Sequence, residues 1–229
     1  MSKTLSITTP DGNFTAYMAE PASLPAPAIV VGHEVFGVNA DLRTTCDDLA
    51  QAGFIAVCPD LFWRMEPGVD LEFEKGWEHG LKLYMALDLD QAVKDVQTVI
   101  AQVKALPTCS GKVGMLGYCL GGLLTYLVSV RGGVDAAVEF HGARTEEFLG
   151  EAHNLQNPLL VHLGTADEFI PPAAQAAITS TLQPLGAEVY SYEGRYHAFT
   201  RHGGAHYDAA AATLANQRTR DFFKKYLFG

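Results

Sequence analysis

Short apolar runs alternate with amphipathic stretches along most of this chain. Residues 28–31, 54–58, 112–116, 136–140 and 159–163 are mostly Val, Ile, Leu, Ala and Phe, the pattern of strands covered on both faces. Residues 188–192 form a further strand. Between them, residues 88–105 place Ala92, Val93, Val96, Val99, Ile100 and Val103 on one face at the 3.6-residue period of a helix. Helices are also expected over 41–52, with Gly53 as the stop, and over 121–130, 172–182 and 207–226. Residues 62–85 are aromatic-rich, irregular at first and then helical. The start differs. Residues 5–9 and 14–19 alternate in polarity around Pro10-Asp11-Gly12-Asn13, which predicts an N-terminal hairpin. Strands separated by helices imply an α/β fold, a mostly parallel central sheet with helices on both faces. In such sheets, sites form outside the carboxyl ends of the strands.

Composition fits this picture and narrows the partners. The chain has 229 residues, 48% hydrophobic, enough for the core of one α/β domain covering residues 1–229. Net charge is −10 and no Lys/Arg cluster stands out, which disfavours nucleic acid and anionic membrane surfaces. No apolar run reaches about 18 residues, and the first residues lack an apolar signal region. Four scattered cysteines without a CxxC pair do not suggest a disulfide framework, so a reducing cytoplasm is the expected setting. A monomer is the simplest assembly to expect.

Chemistry concentrates at strand ends. Gly117-Tyr118-Cys119-Leu120-Gly121-Gly122 lies between a strand and a helix and matches a nucleophile elbow with Cys in the Ser position. A strand that turns at once into a helix strains the nucleophile and crowds the positions two before and two after it, which favours glycine at both. The helix N-terminus favours a thiolate, and the Leu120 N–H points where an oxyanion would form. Buried inert cysteine is the reading that suits Cys46 and Cys58. The glycines do not match a phosphate-binding pattern. After Cys119 the next strand-end acid is Asp167, with neighbouring Glu168 as its rival. His197 follows the strand that ends near residue 192. Nucleophile, acid and histidine in that order make a Cys-His-Asp triad. His202 and His206 are four apart, but Gly203-Gly204 between them predicts a loop and nothing completes a ligand set, so neither a metal nor a cofactor is expected. His162 reads as core. His141 ends a strand and is placed to reach a pocket.

Four segments make the chain resemble the dienelactone hydrolase family of α/β-hydrolases over nearly its whole length: Gly32-His33-Glu34-Val35-Phe36-Gly37-Val38-Asn39, Cys58-Pro59-Asp60-Leu61, the elbow, and His197-Ala198-Phe199. The resemblance implies the triad above, a role for Glu34 beside Cys119 in controlling its protonation, and a second oxyanion N–H from Val35. It also implies that Arg201 binds a substrate carboxylate. Two positions depart from the family pattern. Trp77 stands where a second carboxylate-binding Arg is expected, and Ala198 where a Ser follows the histidine. Phe36, Trp63, Trp77, Tyr84, Tyr118 and Phe199 are expected to shape the pocket. The expected activity is hydrolysis of a small ester or lactone through a thioester. The alternatives are a general carboxylesterase or thioesterase for neutral substrates, and a non-catalytic receptor on the same fold.

Overall fold

Each central strand serves two cores, because successive side chains point to opposite faces of the sheet. In β3 (Ala26–Gly32), Ala28 and Val30 join one cluster while Ile29 and Val31 join the other. In β4 (Ile55–Pro59), Ile55 and Val57 go one way, and Ala56 and Cys58 the other. This double burial is why the runs read as continuously apolar. The computed structural model describes residues 2–228.

Among those residues the sheet has eight strands: β1 (Ser2–Thr9), β2 (Gly12–Ala19), β3, β4, β5 (Cys109–Tyr118), β6 (Ala136–Phe140), β7 (Leu159–Gly164) and β8 (Glu188–Tyr192). Their order is β1-β2-β4-β3-β5-β6-β7-β8. The expected hairpin β1–β2 is antiparallel and joins β4 antiparallel, and all remaining pairs are parallel. Helices α1 (Ala40–Gln51) and α6 (Ala209–Leu227) cover one face. Helices α3 (Leu89–Lys104), α4 (Leu120–Arg131) and α5 (Pro172–Leu182) cover the other. Helix α2 (Phe73–Ala86) precedes α3 and carries the aromatic segment.

Caps explain several boundaries. Asn39 accepts from the Leu42 N–H, and Asp88 from that of Gln91. The closing helix begins at Ala209 and not at residue 207, because the Asp208 side chain accepts from the Ala211 N–H and sets the N-cap there. A 3₁₀ stretch over Thr145–Asn154 was not expected. Helix α4 is buried on nearly every side, with Leu123, Leu124 and Leu127 fully covered. Each such leucine contributes roughly 1.5–3 kcal/mol, so the helix carrying the elbow is firmly seated. All four cysteines are free. No helix of the described residues is long and apolar enough to cross a membrane.

One buried acid makes the fold pH-sensitive. Glu139 on β6 is fully covered; one oxygen accepts from the Thr145 hydroxyl at 2.7 Å and the other has no partner. Burial, against the bonds from Thr145 and Gly142, pushes its carboxyl from 4.5 up to about 8. The folded state therefore keeps a proton that the unfolded chain releases. This contribution is fully present below about pH 4.5 and is lost as pH rises through about 8, on the order of 5 kcal/mol as an upper bound. Glu139→Gln is expected to flatten the fall in stability across that window, read from urea midpoints at several pH values. An unchanged pH dependence would refute the assignment.

Candidate active site

The elbow forms where β5 runs directly into α4. Cys119 sits between them at φ 54 and ψ −112, a conformation costly for a residue with a side chain. Its backbone N–H donates to the Phe140 carbonyl at 3.1 Å, and the Gly121 N–H donates to that of His33 at 3.0 Å. The turn is thereby pinned between β3 and β6. Gly121 is required by this approach, since an added Cβ would collide with the Gly32 carbonyl. Only 7% of Cys119 is exposed. The Leu120 N–H, first in α4, has no intrahelical acceptor. The Val35 N–H likewise finds no acceptor among the described residues.

Loops after β7 and β8 bring two more groups to the same end of the sheet. Asp167 and His197 are both buried, at 5% and 4% exposure. His197 Nδ1 donates to Asp167 Oδ2 at 2.8 Å. The other oxygen, Oδ1, accepts the N–H groups of Phe169 and Ile170 at 2.8 and 3.2 Å, which fixes the carboxylate. The rival acid, Glu168, instead accepts the backbone N–H of His197 at 3.2 Å. The Cys119 sulfur is near enough to the imidazole to act on its charge. Burial pulls the imidazolium down, but the Cys119 charge and the Asp167 bond outweigh it and hold His197 at about 10. Nε2 has no aligned protein partner.

Glu34 lies at the site with a cationic partner. Both its oxygens accept from Arg201, at 2.7 and 2.6 Å, and the carboxylate is 3% exposed. The guanidinium lies against the rings of Phe36 and Phe73, at 5.0 and 4.7 Å from their centroids. Two residues expected to act separately, on the thiol and on a substrate carboxylate, thus hold each other. His33, to which its motif assigns no separate role, braces this loop. Its Nδ1 donates to the Glu34 carbonyl at 2.6 Å, and its Nε2 accepts the Leu61 N–H at 3.0 Å.

An open cleft of about 610 Å³ is lined by Phe36, Phe73, Trp77, Phe169, His197 and Arg201. Phe36 and Trp77 therefore fall where expected, while Phe73 and Phe169 carried no recognisable signal in the sequence. The four other aromatics lie elsewhere. Trp63 stacks on Phe14 at 4.9 Å and donates to Asp95, beneath the hairpin. Phe199 is fully buried and packs on Tyr192. Tyr118 lines a second cavity between α1 and α6. Tyr84 is buried, with its hydroxyl donating to the Ala143 carbonyl at 3.2 Å. Burial, and then the nearby Cys119, push that hydroxyl up to about 12. Tyr84 does not line the cleft.

His162 is core as expected, bonded to Tyr192 at 2.8 Å and Thr219 at 3.1 Å. His202 and His206 lie on a loop; His202 faces Asp41, and His206 donates to the His197 carbonyl at 3.1 Å. His141 does reach the site, with its ring 4.4 Å from that of His197.

The sequence profile of the Dienelactone hydrolase family matches residues 14–227. A carboxymethylenebutenolidase from Pseudomonas putida is 40% identical over 227 residues, spanning 97% of this chain and 96% of that protein. Carboxymethylenebutenolidase 1 of Cupriavidus pinatubonensis is 32% identical over 213 residues, 91% of this chain and 90% of that one. In structure, a protein from Klebsiella pneumoniae subsp. pneumoniae superposes with a TM-score of 0.88 at 26% identity, covering 99% of both chains. A dienelactone hydrolase from Anabaena variabilis has a TM-score of 0.74 at 17% identity over 99% of this chain and 98% of that one, a likeness of fold. Sheet order, elbow and whole-length similarity agree: the chain belongs to the dienelactone hydrolase family and is a hydrolase of the α/β-hydrolase fold.

Proposed function

We propose that the protein cleaves small esters or lactones by two-step acyl transfer, with Cys119 as nucleophile, His197 as base and Asp167 orienting the imidazole. The observation that carries this reading is the 2.8 Å bond from His197 to Asp167, with the other side of the ring beside a cysteine strained at φ 54. The Cys119 proton passes to His197, and the sulfur attacks the carbonyl carbon. The amides of Leu120 and Val35 receive the oxyanion. The intermediate collapses as His197 returns the proton to the departing alkoxide, leaving a thioester. Acylation removes the sulfur's charge, the strongest influence raising His197. The imidazole is then neutral and able to take a proton from water. The contributing residues are spread from Glu34 to Arg201, and on this reading the chain works as one catalytic unit without a cofactor.

The cleft favours an apolar acyl or alcohol group, given its four aromatic walls. A second reading, a carboxylesterase for neutral substrates, is favoured by one observation: Glu34 already takes the Nε and Nη2 donors of Arg201. A substrate carboxylate would have to displace it to make the same paired bonds. The receptor reading gives no reason for a buried base with a fixed orienter.

The test is stopped-flow hydrolysis of an activated short-chain ester with intact-mass detection. A burst of one alcohol per chain and a matching acyl mass on the protein are expected; turnover without an adduct would refute the thioester route. Esters matched except for a free carboxylate then locate the specificity. Trp77→Arg is expected to raise kcat/KM for the carboxylate-bearing member about tenfold over its neutral match, the worth of one charge-assisted hydrogen bond. An unchanged ratio would remove the idea that Trp77 replaces an anchor.

A further inference from the structure

Three buried histidines lie within or at the ends of central strands, and two are fully satisfied. His33 and His162 each use both ring nitrogens. His141 is 1% exposed and neither nitrogen has a protein partner. An unpaired buried polar group costs about 1–3 kcal/mol, and its backbone adds strain at φ 38. Core packing alone does not account for a residue held at this cost. Burial, then the charges of His197 and Arg201, keep its imidazole well below the ordinary range, so it is neutral, with one N–H and one lone pair.

What surrounds it indicates a use. A ring nitrogen of His141, one of His197 and a carboxylate oxygen of Glu34 all lie within 4.8 Å of one another. With Nδ1 held by Asp167, the free nitrogen of His197 is Nε2. Three polar atoms each about 2.8 Å from a central oxygen in tetrahedral directions lie about 4.6 Å apart, within that limit. The Arg201 cation on Glu34 opposes a metal ion there. A water fits these limits. The polarities also match. Water donates one hydrogen to Nε2 of His197 and one to Glu34, accepts the His141 N–H, and keeps one lone pair for attack.

We infer that His141, with His197 and Glu34, positions the water that hydrolyses the thioester. The inference rests on the acyl-transfer reading. In this step the water oxygen bonds to the thioester carbonyl carbon and its proton passes to Nε2. The tetrahedral intermediate collapses, the C–S bond breaks, and sulfur recovers the proton from the imidazolium. The products are a carboxylic acid and the free thiol, so thioester plus water balances without another reactant. His141 takes part in the second half-reaction only, and it is a positioning residue.

The test compares the wild-type protein with His141→Phe, which keeps a ring against His197, and His141→Gln, which keeps a donor and an acceptor. An activated short-chain ester is the probe. Expected for His141→Phe is a burst rate within about threefold of wild type, a 30- to 100-fold lower kcat, and acyl-protein accumulating by intact mass. Hydroxylamine, a nucleophile that needs no water site, is expected to restore turnover, and His141→Gln to retain more kcat than His141→Phe. Equal losses in burst and kcat, or no loss in either step, would overturn the proposal, and His141→Gln alone decides it should the Phe variant not fold. Absence of any acyl adduct on the wild-type protein would instead bring down the acyl-transfer reading, and this inference with it.

Discussion

Cys119→Ala is expected to lower kcat/KM for an activated short-chain ester by about 10⁴-fold or more, with the fold intact. The side chain is small, 7% exposed and makes no hydrogen bond that shapes the turn; the backbone bonds to Phe140 and His33 remain. Thermal midpoints should therefore move little while activity disappears. What remains would be rate enhancement from the two amides and from binding alone. No acyl mass should appear on the variant. Wild-type turnover by this variant would mean that the sulfur has no part in the chemistry, and the mechanism would have to be rebuilt on another group.

The second large effect is Asp167→Asn, expected to reduce kcat/KM by roughly 10³- to 10⁴-fold. The reason lies in how the carboxylate is held. Oδ1 accepts two backbone N–H groups, from Phe169 and Ile170. An amide in this position must turn its carbonyl oxygen toward those donors. Its NH₂ then faces His197, which can answer only by accepting on Nδ1. The ring is left in the tautomer with the proton on Nε2, where it cannot receive one from the thiol. The pH profile offers an independent sign. The Asp167 bond helps raise His197 to about 10, so the alkaline loss of activity should begin at lower pH in the variant. A variant with near-normal kcat/KM, or with an unmoved alkaline limb, would show that the carboxylate does not set the tautomer.

Much of this was legible in the residues. The alternation of runs and stripes reports the sheet because both faces of each strand are covered. The elbow could be read because its glycines answer a local steric demand that only a few residue types satisfy. Strand position favours Asp167 over Glu168, and geometry separates the two by where each carboxylate points. Other features leave no local trace. The pairing of Glu34 with Arg201 joins residues 167 positions apart, and no spacing rule registers it. Trp63 looked like its neighbours in an aromatic segment, yet it serves the hairpin by stacking on Phe14. His141 and His162 both follow or occupy apolar runs, and only tertiary packing decides that one is satisfied and the other bare. Phe73 and Phe169 enter the cleft through loop and helix placement that the hydrophobic pattern does not encode.

The Glu34–Arg201 pair also bears on how the protein is made. During synthesis the elbow cysteine leaves the ribosome well before residues 197 and 201, and the acid on the first loop waits longer still for its cation. Until the last loop docks, the nascent polypeptide carries a thiol without its base and a buried-to-be carboxylate without a counter-ion. Reactivity therefore arrives late, as one of the final acts of maturation, and an unfinished chain has little means of attacking its surroundings.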